Sequence, residues 1–511
     1  MSDLEPIALG AGPLTLRQLR RVYADPVRVT ITDNALRAVE ESHAVTSRLA
    51  AGDSPAYGIN TGFGLLAQTR IPTSQRSLLQ KNIVLSHSAG VGPLLDDGVV
   101  RLILVLKLAS LIRGHSGVST QLVRLLERLI DAGLHPCVPS QGSVGASGDL
   151  APLAHLSLPL LGLGTIRRHG EIRPADEMLA QEGLAPLELG PKEGLALLNG
   201  TQVSTALALA ALFELEKVFA GAIVSGALSL DALQGSDEPF DPRIHELRGH
   251  PGQAGVARVC RALLAGSEIR ESHRTCNRVQ DPYSLRCQPQ VMGACLDLMT
   301  QTAATLLTES NSVTDNPLIF APTAEVLSGG NFHAEPVAFA ADILALACAE
   351  IGSMAERRIA LLIDPKMSGL PAFLALDSGV NSGFMMAQVT AAALVAENRM
   401  LCHPASIDSI PTSANQEDHV SMATHGARRL HTMIPNVLNV VAIEFLAACQ
   451  GIDFRRPLKT SAPLQRAHEA LRAQVPFAAQ DRLLALDIEA ASEAVRTPAV
   501  QSLASELLPS S

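Results

Sequence analysis

The length of its apolar helical stretches constrains this chain more than any other feature. Residues 203–233 are almost entirely Ala, Leu, Val, Ile, Phe, Gly and Ser, broken by Glu214, Glu216 and Lys217. No clean run reaches the roughly 20 residues that a membrane span needs. The stretch therefore reads as a buried bundle helix. Residues 99–130, 335–362, 383–401 and 426–449 repeat the pattern, with apolar side chains at three-to-four spacing. In the first of these, Arg101, Lys107, Arg113, Arg124 and Arg128 fall between the apolar positions. Strand signals are short and few, the best being residues 27–31 and 164–173. The expectation is a mostly α chain: a smaller N-terminal domain over residues 1–200, then a long-helix bundle with a C-terminal helical region over 201–511.

Composition narrows the function classes. The chain is 47% hydrophobic, too apolar for a disordered chain. Its formal charge of −10 argues against a phosphate-driven nucleic-acid binder. The opening MSDLEPIALGAG has two acids and no basic segment, so it is not read as a secretory signal. Eight cysteines are scattered without a CxxC pair. That usage fits reduced thiols in the cytoplasm and no structural zinc. No metal site and no membrane association are expected.

The polar segments between the helices carry the chemistry. Residues 62–67 fit a loose GxGxxA, but no strand signal precedes them and no acid lies at the ribose-binding distance, so a dinucleotide site is not indicated. Ser147 follows Gly145 as in a hydrolase elbow, yet Asp149 stands where the second glycine belongs. Ala146-Ser147-Gly148 offers rarer chemistry. Gly148 leaves its nitrogen sterically open and accepts unusual backbone angles. In a tight bend that nitrogen can attack the Ala146 carbonyl carbon. Loss of water from the adduct and from Ser147 leaves a five-membered ring with an exocyclic methylidene, a strong electrophile.

GSVGASGDLAPLAH (142–155) resembles the signature of the aromatic amino acid ammonia-lyases, which make 4-methylidene-imidazol-5-one (MIO) from Ala-Ser-Gly. YGINTGFG (57–64), LLNGTQ (197–202), QDPYSLRCQPQ (280–290), GGNFHAEP (329–336) and SANQEDHVSM (413–422) resemble further blocks of that family, in the same order. The resemblance spans nearly the whole chain. Leu85-Ser86-His87 and Glu417 resemble the members that act on histidine, where phenylalanine and tyrosine enzymes tend to show Phe-Leu or His-Leu and Gln. An imidazole needs hydrogen-bond partners in its pocket, and His87 and Glu417 can supply them.

The resemblance implies a fumarase/aspartase-like helical architecture and a homotetramer whose active sites draw on several subunits. It also implies elimination of ammonia from L-histidine to trans-urocanate, the first step of histidine degradation. Ala146, Ser147 and Gly148 would supply the MIO. Tyr57 is the matched base, with Glu417 its rival, since Glu417 could equally well hold the imidazole. Asn199 would donate to the ring carbonyl. Arg286 would clamp the substrate carboxylate, with Tyr283 and Gln280 beside it, and Phe332 would pack on the ring or the MIO. Three alternatives stay open. One is an MIO aminomutase or a lyase for another aromatic amino acid. Another is a pyridoxal phosphate lyase using Lys366, and the third is an inactive helical scaffold.

Overall fold

The structure, a computed structural model, describes residues 5–52, 56–62, 69–274 and 279–511. Residues 1–4, Phe63 and Gly64 of the first block, most of the 62–67 motif and Cys276 lie outside them. Helices dominate, the longest being Gln202–Ala232, Gln288–Ser310, Glu335–Ile363 and Ala423–Phe454. The strands form small sheets. Ile7–Leu9 pairs in parallel with Val29–Ile31, the strand read at 27–31. Thr165–Arg168 and Glu171–Pro174 make the hairpin read at 164–173, and His135–Pro136 adds a third strand.

Residues 99–130, read as one continuous helical pattern, form two helices, Asp97–Leu111 and Thr120–Asp131. Gly117 lies between them at a φ of +70°, where a Cβ would sit 2.1 Å from Thr46 Oγ1, so the chain turns on a residue without a side chain. Ser119 then caps the second helix by accepting from Leu122 N (3.3 Å). The first helix is buried almost all round, Arg101 and Lys107 included. Arg101 spends its guanidinium on the carbonyls of Val22 (2.5 Å) and Tyr23 (2.7 Å), in the last turn of helix Leu16–Ala24. There a cation also meets the negative end of the helix dipole. Gln288–Ser310 lies in a stretch not read as helical, and its Pro289 sits in the first turn, where a missing N–H costs no bond.

The chain forms two compact units, each discontinuous in sequence. One comprises Met1–Ala210, Ala304–Asp342 and Pro404–Arg428, the other Ala211–Ala303, Ile343–His403 and Arg429–Ser511. Among the described residues two helices, Glu335–Ile363 and Ala423–Phe454, are long and apolar enough to cross a membrane. Their apolar windows are 67% and 78% buried within the protein, so packing already occupies most of that surface.

The second unit buries an ion pair in this apolar setting. Arg358 Nε and Nη2 donate to Glu444 Oε1 (2.5 Å) and Oε2 (2.8 Å), and neither side chain is exposed. Ser229 Oγ adds a third bond to the same carboxylate (2.7 Å). The Coulombic attraction offsets desolvation only while both partners remain. Arg358→Met should therefore cost about 3–5 kcal/mol by leaving Glu444 buried and unpaired. Arg358→Met combined with Glu444→Leu should recover most of that loss, as read by denaturant unfolding of both variants.

Candidate active site

Two helix starts build the site. Helix Leu150–Ser157 follows Asp149, and helix Gln202–Ala232 follows Thr201. Gly148 and Gly200 pair as an isolated parallel bridge, so both helices begin from one bridged pair of turns. Asp149 N donates to Gly200 O at 2.8 Å. Gly148 has a φ of +73°, and a Cβ there would lie 2.2 Å from Gly200 O. Only glycine fits this contact.

A buried carboxylate fastens the turn. Asp149 accepts from Ser143 Oγ (3.0 Å), Ser204 N (2.7 Å), Ser204 Oγ (2.9 Å) and Thr424 Oγ1. Burial raises its pKa, and the bonds from Ser204, Thr424 and Ser143 oppose the rise. Ser421 Oγ donates to Gly145 O (3.1 Å) and Met422 N to Val144 O (2.8 Å), holding the segment before Ala146 from the other side.

A cavity of about 950 Å³ opens on this turn. Its lining includes Tyr57, Ser86, His87, Ser147, Asn199 and Glu417. Ser147 Oγ donates to Glu417 Oε1 at 2.6 Å, and Thr412 Oγ1 donates to Glu417 Oε2 at 2.7 Å. Asn199 Nδ2 donates to the Ser147 carbonyl oxygen at 3.1 Å. That oxygen is the one an MIO ring would carry as its carbonyl. Asn199 Oδ1 is buried without a hydrogen-bond partner and is available as an acceptor. His87 Nδ1 lies 3.1 Å from Ser86 Oγ. Burial lowers the His87 pKa against opposing effects from the Ile83 backbone and Glu417, so its ring is neutral at pH 7 and presents both a donor and an acceptor.

Glu417 is placed by an unusual loop. Ser413, Ala414 and Asn415 all have positive φ (51°, 53° and 65°). Left-handed backbone costs a non-glycine residue about 1–2 kcal/mol. Reciprocal backbone bonds between Thr412 and Glu417 close this loop (2.9 and 3.3 Å). Strain of this kind is held where the surrounding structure fixes a functional group.

The remaining residues read from sequence lie elsewhere. Gln280 and Arg286 line another cavity, in the second unit, and neither is among the residues lining the Ser147 cavity. Arg286 Nε donates to Asp281 O (3.0 Å), and its guanidinium stacks 4.6 Å from the Tyr283 ring centroid. Tyr283 is 71% exposed. Phe332 is half-buried and lines neither cavity. Lys366 is exposed on a one-turn helix, without the enclosure that pyridoxal phosphate chemistry needs. His155 Nε2 accepts from Gly90 N (3.0 Å), a structural role. Sequence reasoning missed Asp149, seen only as a break in a hydrolase motif, and Lys107, seen only as a charge between apolar positions. The clustering of Ser143, Ser204 and Thr424 around one acid could not be found from spacing.

Ala146-Ser147-Gly148 fits an MIO precursor, because the glycine-only contact, the Asn199 donor and the orphaned Asn199 oxygen all meet there. One cluster among the described residues, His333, Glu335 and His419, has a metal-binding donor set within 4.8 Å. Its imidazole planes are parallel to within 5° at 5.6 Å. The in-plane lone pairs of stacked rings do not converge on one ion.

Comparison with known proteins agrees with this architecture. The family model for aromatic amino acid lyase matches residues 14–473. A histidine ammonia-lyase of Burkholderia mallei is 58% identical, the alignment covering 97% of this chain and 98% of that protein. The crystal structure of histidine ammonia-lyase from Trypanosoma cruzi superposes with a TM-score of 0.90 at 40% identity, covering 99% of this chain and 96% of that one. Tyrosine aminomutase from Streptomyces globisporus superposes at 0.92 with 35% identity, covering 98% and 99%. The chain belongs to the aromatic amino acid lyase family, whose helical fold it shares.

The contact at Gly148 yields a direct test. If Ala146-Ser147-Gly148 cyclises in the unaltered chain, giving a peptide two waters lighter, Gly148→Ala should leave that peptide at its unmodified mass, because the added methyl collides with Gly200 O. A peptide two waters lighter from that variant would show that the close approach is dispensable.

Proposed function

We propose that this chain is a carbon–nitrogen lyase that eliminates ammonia from L-histidine to give trans-urocanate, the first step of histidine degradation. The observation that carries the reading is the meeting of Ser147, His87, Asn199 and Glu417 on one cavity. The near-full-length similarity to histidine ammonia-lyases supports it. The aminomutase likeness favours no second substrate, since the polar pair His87 and Glu417 suits an imidazole rather than a phenyl ring.

The chemistry divides among the residues. The MIO, formed from Ala146, Ser147 and Gly148, would supply an electrophile for the substrate amino group, as an organic cofactor carries the hard step. Asn199 would donate to its carbonyl oxygen, as it does to the Ser147 oxygen here. His87, neutral and hydrogen-bonded to Ser86, would pair with one imidazole nitrogen. Tyr57 is assigned as the base for the β-proton, with Glu417 as the competing candidate. Phe332 is assigned to packing near the ring.

Arg286, Tyr283 and Gln280 are assigned to the substrate carboxylate, for which a guanidinium fork is well shaped. Their absence from the lining of the Ser147 cavity supports supply by a neighbouring copy, and so a homotetramer with shared sites. Exposed apolar side chains support the same assembly: Phe339 (53%) and Leu346 (52%) on helix Glu335–Ile363, Met386 (62%) and Met400 (81%) on helix Met385–Leu401. The division near residue 200 and a cytoplasmic location complete the proposal. Among the described cysteines, Cys137, Cys260, Cys287, Cys295, Cys348 and Cys449 form no disulfide, which supports a reducing compartment.

Two experiments test these assignments. His87→Leu leaves an imidazole nitrogen unpaired, at a cost of about 1–3 kcal/mol, so KM for L-histidine should rise about 5- to 150-fold. An unchanged KM would remove His87 from substrate recognition. Arg286→Ala alone and Ser147→Ala alone should each be nearly inactive in steady-state assays. If sites are shared between copies, mixing the two inactive variants, dissociating them and reassembling them should restore partial activity. No recovery from mixed tetramers would contradict the shared site.

A further inference from the structure

Lys107 lies in the middle of helix Asp97–Leu111 with 1% of its surface exposed. Its ammonium donates to the Asn199 carbonyl oxygen at 2.6 Å and to Gln202 Oε1 at 3.4 Å. Gln202 Nε2 donates in turn to Thr314 Oγ1 (2.9 Å). Asn199 ends the short helix Glu193–Leu198, so the ammonium meets the negative end of that helix. A second lysine holds the other end. Lys192, at the N-cap with a φ of +70°, donates to Asp315 Oδ2 (2.6 Å) and Ser116 O (3.0 Å). The segment that presents the Asn199 amide is thus fixed at both termini by buried lysines.

Such burial has a cost that needs a return. Burial pushes the Lys107 ammonium down to about 7, with Asp315 and Asp149 raising it and Lys192 lowering it further. A leucine or methionine would fill a helix core without this penalty. What the amine does that an apolar residue cannot is hold one carbonyl. The next carbonyl, Gly200 O, accepts from Asp149 N (2.8 Å), and between the two anchors the Asn199 side chain reaches the Ser147 oxygen (3.1 Å). Rotation of the Asn199–Gly200 peptide would disturb both contacts to the Ala146–Gly148 turn.

We infer that Lys107 is a positioning residue for ammonia elimination: it fixes the Asn199–Gly200 peptide so that the Asn199 amide stays aimed at the carbonyl oxygen of Ser147. The inference rests on the proposed role of Asn199 and extends it one shell outward.

Lys107→Met keeps the stem and removes the amine. Its expected phenotype is a kcat lowered by up to about 10²-fold through misplacement, with KM for L-histidine within about twofold. The peptide spanning 146–148 should still be two waters lighter than its sequence mass. Lys107→Gln, which restores a shorter donor, should recover part of kcat. The decisive measurement is a double-mutant cycle. If Lys107 acts through Asn199, Lys107→Met should lower kcat little or not at all in the Asn199→Ala background. Independent, multiplicative losses would overturn the inference, as would an unchanged kcat in Lys107→Met. An unmodified peptide mass, or loss of folding in both Lys107 variants, would overturn it too, assigning the amine to building the turn or the core. If Asn199→Ala alone leaves kcat intact, the reading of Asn199 fails, and the inference falls with it by a separately visible route.

Discussion

Everything around the candidate site depends on a buried carboxyl, Asp149, having its hydrogen bonds met by the chain itself. The carboxylate is fully enclosed, and its partners come from three separate stretches of chain: Ser143 before the turn, Ser204 on the following long helix, and Thr424 more than two hundred residues further on. Each bond lowers the cost of keeping a carboxylate in the interior, and together they require those stretches to meet at one point. The turn at Ala146–Gly148 is held in place because its movement would leave a buried carboxyl without its partners. That rigidity lets Gly148 lie against Gly200 more closely than any side chain would permit.

The site pairs this rigid floor with a strained roof. Three successive left-handed residues bring Glu417 over Ser147, and the Thr412 hydroxyl holds the carboxylate in place. A relaxed loop would place Glu417 with less energy but also with less definition. Lys107 and Lys192 contribute the same kind of constraint from below, as buried amines spent on carbonyls and a carboxylate rather than on solvent.

Much of this was legible in the sequence, for identifiable reasons. The long helices announce themselves because apolar residues recur at helical spacing, and the polar blocks because Gly, Asn, Gln and Tyr are unusual company in surface loops. The split of residues 99–130 was not legible, since the glycines between the halves look like tolerated helical glycines until the close approach of Thr46 is seen. Lys107 was hidden because a lysine amid leucines reads as a solvated face. The positive φ of Ser413, Ala414 and Asn415 leaves little trace in residues that are not glycine. The two units are each assembled from distant stretches, so a composition shift near residue 200 carries no sign of the returns at Ala304 and Pro404. Arg286 stands out by motif, but motif says nothing about which cavity it lines.

The close contact between Gly148 and Gly200 exists only in the folded chain, since it joins segments that nothing local holds together. On the proposed chemistry, a ring closed there is covalent and outlasts the fold that made it. A denatured molecule carrying the ring has been native at least once, and one lacking it never held that contact long enough to react. Each chain would then carry a permanent mark of its own folding history, readable after every other trace of the structure has been erased.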